Sequence, residues 1–463
     1  MTEGGWRYGQ TMSVRLASAT AAVLAGVLTA TLVPASPAPS AGPSPLSSTT
    51  GTGPGSQPNG RGNLELSLAL TADGSVAVSW KRPTTPDKLE KFVVKVGVNR
   101  RLDNLVQSYY VSPTTQSLVV PPAYGVLPDS GNFTFVKVVI HRRSGQVGAS
   151  PTKWIQAPTV SPCTAAPDDR VTVGTFNIRN WLTERRKRNK TYPWTVRRDN
   201  VIHQILHSGA HAVAIQEASG PENAGFGKLE QDEYVLRQLN AQDPDRDARW
   251  RDALPDAAYK NPGGRPGLKG TRVIYDRNRF RLLASGLYRL KAPGLRSDSL
   301  MPWARLQAVA GRRSTTGLAA PFVLTSNHLD QGEDRASWSH RTHQVAQTAD
   351  HVRELYATFG DQVIVAGDLN ETANTNPYNQ AQLRLLEIGM FDAFATGNRR
   401  NAAFPTTNGL AFPVRRTPNR RDYILTYGSV RGSCRYVNVV FRRPAQASSD
   451  HFMQVATLPL PPY

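Results

Sequence analysis

Apolar positions along this chain follow two different rhythms. Between residues 63 and 157 they recur at every second position: Leu64, Leu66, Leu68 and Leu70, then Val76, Val78 and Trp80, with Thr71-Ala72-Asp73-Gly74 as the turn between the runs. Alternation of this kind sends successive side chains to opposite faces of a strand. Further short strands are predicted at 92–98, 117–120, 133–140 and 153–156, a spacing that indicates an antiparallel sandwich. After residue 157 the rhythm changes. Apolar runs over 171–176, 212–215, 322–327 and 363–366 alternate with helical spacing, and shorter strands are predicted at 271–275, 306–309, 421–425 and 454–458. Val201, Ile202, Ile205 and Leu206 share one face of a helix over 196–208, with Gly209 just past its end. Helices over 335–358, stopped at Gly360, and over 378–388 complete a strand–helix alternation that predicts an α/β domain.

At 463 residues the chain exceeds one ordinary core, so two folded domains are expected. Arg15 precedes an uncharged run over 16–33, followed by Val33-Pro34-Ala35, which predicts a secretory signal over 1–35; an uncleaved membrane anchor is the rival reading, and Met12 is a candidate start. Residues 36–62 are Pro, Ser, Gly and Thr-rich and read as a linker. Two cysteines, Cys163 and Cys434, fit export and permit one disulfide, with two free thiols as the alternative.

Net charge is +20, with +1 on residues 1–60 and +6 on residues 61–157, leaving +13 on residues 158–463. Basicity concentrated on the α/β segment favours a polyanionic partner such as nucleic acid or an acidic surface; plain solubility is the alternative.

The α/β strands end in polar residues: Asn177, Glu217, His328, Asp368 with Asn370, and Asp450 with His451. Strand ends on one edge of a sheet are where such folds gather a site from distant sequence. Any one alone is more often a cap or a surface residue than a ligand. In Gly367-Asp368-Leu369-Asn370, an acceptor-only carboxylate beside an amide donor suits a phosphate and an attacking water.

Two resemblances follow from these stretches. "GSVAVSWKRP" and "SGNFTFVKVVIHRRSGQVGASP" resemble a fibronectin type III domain over 63–157, with Trp80 as core and Phe133 where that family usually has its corner tyrosine. "TFNIRN", "AIQE", "TSNHLD", "AGDLNE", "RRDYIL" and "SSDH" resemble the endonuclease/exonuclease/phosphatase superfamily. That likeness implies an α/β four-layer sandwich over 165–463, two central β-sheets flanked by helices, with the site on one rim. It implies Glu217 as principal Mg²⁺ ligand, Mn²⁺ or Ca²⁺ being alternatives, with Asn177 and Asp450 near the metal or its waters. Asp368 and Asn370 would orient water and the scissile phosphate, and Arg179 would contact phosphate. Asp422 would hold His451 and favour its cationic form. His328 would touch phosphate or assist the leaving oxygen. In the deoxyribonuclease branch that histidine has a Glu partner, which "LKGTRVIYD" lacks. Arg305, Arg341 and Gln344 also fit family positions and are expected to be structural.

The expectation is a secreted, monomeric, metal-dependent phosphodiesterase, a low-specificity nuclease acting on extracellular DNA or RNA. Alternatives are a sphingomyelinase-like or phosphatase activity, and a non-catalytic surface-binding protein. The fibronectin-like domain would contact a polymer, cell wall or protein, or serve as a spacer. The firmest expectation is that Asp422 and His451, 29 positions apart, form one hydrogen-bonded unit.

Overall fold

In the computed structural model the residues outside the description are 1–50, 53–63, 72–74, 82–88, 98–101, 103–104, 121–132, 143–144, 157–162, 164, 182–191, 219–229, 244–248, 260–269, 296, 310–319, 373–379, 417–418 and 462–463. The expected signal or anchor, most of the linker, the tip of the 71–74 turn and the side chain of Phe133 fall there. Among the described residues no helix is long and apolar enough to cross a membrane.

The alternating segment forms strands β1 (Gly51–Thr52), β2 (Leu66–Leu70), β3 (Val76–Trp80), β4 (Leu89–Gly97), β5 (Leu105–Val111), β6 (Ser117–Val120), β7 (Phe133–Arg142), β8 (Gly145–Ala149) and β9 (Lys153–Gln156). One sheet runs β1-β9-β7-β4-β5 with β8 on β7, the other β2-β3-β6, and every pairing is antiparallel. The period-two leucines and valines of β2 and β3 face Phe92, Val94, Val136, Val138 and Ile155 in one buried cluster. Trp80 lies in it, edge-on to Phe92 at 5.5 Å, as a core residue should. Gly51–Thr52, inside the segment read as linker, pairs with β9.

The α/β segment contributes β10 (Arg170–Asn177), α1 (Trp194–Ser208), β11 (Ala212–Gln216), α2 (Gln231–Gln242), β12 (Trp250–Asp252), β13 (Arg272–Asp276), β14 (Phe280–Leu290), β15 (Ser299–Ala308) and β16 (Phe322–His328). Then come α3 (Arg335–Phe359), β17 (Gln362–Asp368), α4 (Gln380–Glu387), β18 (Phe391–Asp392), β19 (Arg399–Arg400), β20 (Asp422–Tyr427), β21 (Arg435–Val439) and β22 (Met453–Pro459). A seven-stranded sheet has the order β12-β13-β11-β10-β22-β21-β19, and a six-stranded sheet the order β14-β15-β16-β17-β20-β18.

Side-chain alternation assigns the layers. Val171, Val173, Ala212, Ala214 and Val273 of the first sheet meet Ala304, Leu306, Phe322, Leu324, Ile364 and Ile424 of the second in a shared core. The opposite face of the first sheet, Phe176, Val213, Ile215 and Val455, is covered by Val201, Ile202 and Ile205 of α1 and by Tyr234, Val235 and Leu239 of α2. The outer face of the second, Val323, Val363, Val365 and Leu425, is covered by Val345, Ala349, Val352 and Leu355 of α3 and by Ala381 and Leu385 of α4. Helix, sheet, sheet, helix is the expected four-layer order. Both predicted glycine stops cap their helices in the left-handed conformation, Gly209 at φ 77° and Gly360 at φ 69°. Cys163, ahead of β10, is disulfide-bonded to Cys434, just before β21, with Cα atoms 4.6 Å apart.

Candidate active site

Strand register places the site. In the six-stranded sheet His328 is directly opposite Asp368 across the parallel β16–β17 pair, and Asp368 is opposite Asp422 across the antiparallel β17–β20 pair. Three chemically active residues from separate motifs thus stand in one row. In the seven-stranded sheet Asn177 is opposite Gln216, and Glu217 follows at the same edge. The chain reaches this edge a third time at Asp450-His451, just before β22 begins.

Gly367 makes the row feasible. Its φ is 153°, and a Cβ there would come 2.0 Å from the carbonyl oxygen of Asn327 on the neighbouring strand. Only a residue without a side chain lets β17 approach β16 one position before Asp368. Three site residues, Arg179 (φ 57°), Glu217 (φ 61°) and Asn370 (φ 52°), are non-glycine residues in left-handed backbone. Conformations of this kind persist where the surroundings hold them, and they cluster at functional sites.

The two sheets' rims converge on one oxygen. Asp368 Oδ2 accepts a hydrogen bond from Asn177 Nδ2 at 3.1 Å and lies 3.7 Å from Nε2 of both His328 and His451. Asp368 Oδ1 accepts from the backbone of Asn370 at 2.8 Å, and Asn370 Nδ2 donates to the Leu329 carbonyl at 3.0 Å. Asn177 Nδ2 also donates to Glu217 Oε1 at 3.0 Å while its Oδ1 accepts from the Arg179 backbone, so this amide bridges the two carboxylates through its nitrogen. Glu217 Oε2 accepts from the Asn180 backbone at 2.8 Å. His328, whose expected Glu partner was missing from its usual stretch, has Nε2 3.7 Å from both Glu217 Oε1 and Asp368 Oδ2. Asp450 faces Arg179 at 4.0 Å.

Asp422 and His451 meet as expected: His451 Nδ1 is 2.9 and 3.1 Å from the two carboxylate oxygens. Burial alone would lower the imidazole's pKa, but Asp422 first and Asp368 second push it up to about 10. Burial raises the Asp368 carboxyl above the usual range; the cationic neighbour His451 opposes this and the Asp422 charge adds to it. Desolvation raises Asp450 as well, yet His451, Arg179 and Arg197 outweigh it and hold that carboxyl low.

Exposure separates the acids into two kinds. The side chains of Asp368 and Asp422 are 1% accessible, whereas Glu217 is 17% and Asp450 32% accessible. Donor atoms of Asp368, Asp422 and His451 all lie within 4.8 Å of one another, close enough to hold a cation. An ion there would compete with the Asp422–His451 hydrogen bond for the same lone pairs. Glu217 and Asp450 are the more exposed acids, and both Glu217 oxygens already accept hydrogen bonds, from Asn177 and Asn180.

Some contributors were not visible in sequence. Arg197 of α1 is fully buried and donates to the carbonyls of Ile178, Arg179 and Ser448, joining the two turns that carry Arg179 and Asp450. Gln216 Nε2 donates to Ser326 Oγ at 3.0 Å, linking the sheets beneath the site. Thr406 Oγ1 accepts from the backbone of Arg421 and Asp422, and Thr407 forms a bridge with His451. The one available signal was polar residues inside otherwise apolar strands, as at Gln216 and Ser326. Arg305, Arg341 and Gln344 take structural roles: Arg305 bonds Asp361 at 2.6 Å, Arg341 bonds Glu371 at 3.2 Å, and Gln344 donates to Ser299 at 2.9 Å.

Acids, imidazoles and an arginine facing one another across the rim of a two-sheet α/β sandwich are equipment for hydrolysing a phosphoester. The model of the endonuclease/exonuclease/phosphatase family matches residues 174–451, and the chain belongs to that family of phosphoester hydrolases. No curated protein matches the chain. Solved structures similar to it include the mannosyl-6-phosphatase of Bacteroides thetaiotaomicron VPI-5482, at 16% identity and a TM-score of 0.45, covering 62% of this chain and 98% of that one. D. rerio TDP2 complexed with a single strand DNA product is 15% identical with a TM-score of 0.41, covering 63% and 99%. Sphingomyelinase C from Streptomyces griseocarneus is 15% identical with a TM-score of 0.42, covering 63% and 100%.

Proposed function

We propose that this chain is an exported, Mg²⁺-dependent phosphodiesterase that cleaves nucleic acid with little sequence preference. The observation carrying this reading is the convergence on Asp368 Oδ2 of Asn177 and both histidines, beside the more exposed Glu217. The net charge of +13 on residues 158–463 favours a polyanionic substrate, because neutralising phosphates supplies most sequence-independent binding. Glu217 and Asp450 would hold Mg²⁺, with Asn177 beside them; when bound, the ion would neutralise charge on phosphoryl oxygens.

The protein's own groups do the rest. Asp368, steadied by the Asn370 backbone, orients the attacking water. His451, kept cationic and aimed by Asp422, stabilises charge on the phosphoryl group. His328 faces the leaving oxygen, and Arg179 holds a neighbouring phosphate. Export is supported by the apolar run over 16–33 and by the Cys163–Cys434 bond. Residues 63–157 would be a fibronectin type III-like module in a monomeric protein.

The test incubates the full chain with plasmid DNA, RNA and sphingomyelin vesicles, with Mg²⁺ and with chelator, alongside Glu217→Ala. Metal-dependent cutting of nucleic acid, lost in the variant, is expected. Lipid cleavage with intact nucleic acid overturns the reading.

A further inference from the structure

Two loops far apart in sequence bring arginines to a single ring beside the site. The guanidinium carbons of Arg416 and Arg442 lie 5.4 and 5.2 Å from the centroid of Phe404, so their separation cannot exceed the sum, about 10.6 Å. Arg415 and Arg443 adjoin them, and all four are exposed. Nearby Arg420 and Arg421 are ion-paired with Asp392 and Glu333, but among the described residues none of these four has a carboxylate partner. Phe404 itself is buried, and its carbonyl and that of Pro405 accept from Asn438 Nδ2 at 3.2 and 2.9 Å. The ring is thus held in place and offers both guanidiniums one shared cation–π contact, a weak one at an exposed site.

The patch is joined directly to the reaction site. Two residues past Phe404, the Thr406 hydroxyl accepts from the Asp422 backbone at 3.2 Å, and Thr407 pairs with His451. Three residues of chain span at most about 10 Å, a distance covered by a few nucleotide steps of about 3.4 Å each. Among the described residues the large apolar side chains of these loops, Leu410, Phe412 and Val414, are half-buried against Phe441 and Phe452, and the strongly exposed ones, Tyr110, Val119, Val196 and Val309, lie elsewhere. Charge without an apolar wedge suits a phosphate backbone and gives nothing to insert into a lipid surface.

We propose that Arg416 and Arg442, with Arg415 and Arg443 beside them, form a backbone-phosphate clamp that grips a polynucleotide strand next to the scissile position. This rests on the nucleic-acid reading above. The clamp makes the enzyme discriminate polymer from small diester, and it does so through charge.

The test measures kcat/KM of the full chain, with Mg²⁺, on a labelled single-stranded DNA oligomer and on bis(4-nitrophenyl) phosphate between 50 and 200 mM NaCl. Removing two phosphate contacts at about 0.7 per contact should flatten the log–log salt slope on DNA by about 1.4, so that the fourfold salt range costs the wild type about sevenfold more than Arg416→Ser/Arg442→Ser. The ratio of DNA to small-diester activity should fall in the same variant. Arg416→Lys/Arg442→Lys should keep the wild-type slope, and Arg415→Ser/Arg443→Ser, which leaves the Phe404 ring contacts intact, should flatten it in the same direction. An unchanged slope in both serine variants overturns the clamp, as does a lysine variant as flat as the serine one, which would make the role structural. If the wild type leaves DNA uncut, the nucleic-acid reading has failed and the clamp with it. Salt-sensitive cleavage of anionic vesicles in place of DNA would assign the patch to a membrane and overturn it too.

Discussion

Arg197→Met tests whether the site's geometry depends on one buried cation. Arg197 is fully buried, its guanidinium 5.0 Å from the Trp194 ring, and it donates to Ile178, to Ser448 at 3.0 Å and to Arg179 at 2.5 Å. Methionine fills much of the same volume and removes all three donors. Hydrogen bonds to charged groups contribute about 1.5–3 kcal/mol each, but some freed carbonyls will find water, so a loss of about 3–5 kcal/mol is expected. At about 2–3 °C per kcal/mol for a domain of this size, the melting temperature should fall by about 10 °C. The two turns it joins carry Arg179 and Asp450, and displacement by about 1 Å costs about a hundredfold in rate. Calorimetry of the full chain and kcat/KM on bis(4-nitrophenyl) phosphate with Mg²⁺ read both effects below the melting transition. A melting temperature within about 2 °C of wild type together with kcat/KM within about threefold would refute the argument.

Asp422→Asn leaves an acceptor for His451 Nδ1 but removes the largest of the charges that hold the imidazole cationic; kcat should fall by about 10²–10⁴-fold with the fold retained by circular dichroism, and near-wild-type turnover would remove the pair from the chemistry. Gly367→Ala puts a Cβ 2.0 Å from the Asn327 carbonyl, so β16 and β17 must separate at the His328–Asp368 row. A melting temperature lowered by more than about 5 °C and a kcat reduced more than about tenfold are expected, and retention of both would show that the strands have room. Asp252, which shares the Arg272 guanidinium with Asp232, has its pKa raised by burial to about 7 despite that cation. A carboxyl raised in the folded state costs stability as pH climbs from its free value of 3.8 toward 7, so the wild type should lose melting temperature over that window and Asp252→Asn should lose less. Parallel melting curves from pH 4 to 8 would contradict this.

The layers were legible because burial imposes a period on the sequence. Strands β11, β16 and β17 are buried at every position, and β10 from Val173 onward, so they read as apolar runs, and α1 and α3 end at the glycines expected to stop them. Elements whose burial is mixed escaped. β14 is half-buried along most of its length, with Ser285, Gly286 and Arg289 interrupting any alternation. α2 buries Gln231 and Asp232 and is capped by Glu230, so neither a clean apolar face nor a Ser or Thr start announced it. β15 begins well before the predicted 306–309 because Ser299 and Pro302 disguise its buried first half.

Residue types at strand ends were likewise written in the chain, since a polar residue closing an apolar run is visible without coordinates. Their meeting was not. The row His328, Asp368, Asp422 exists only through two strand registers, and a slip of one position would turn alternate members to the other face. Asn177 stood out in sequence as a polar residue closing an apolar strand, yet only the fold determined that its oxygen would be taken by the Arg179 backbone and its nitrogen turned to Glu217 and Asp368. Arg197 and the Arg416–Phe404–Arg442 cluster look in sequence like ordinary surface charges. Which arginines are buried against carbonyls, which are paired, and which are left facing solvent beside the site follows from long-range contacts that local sequence does not encode.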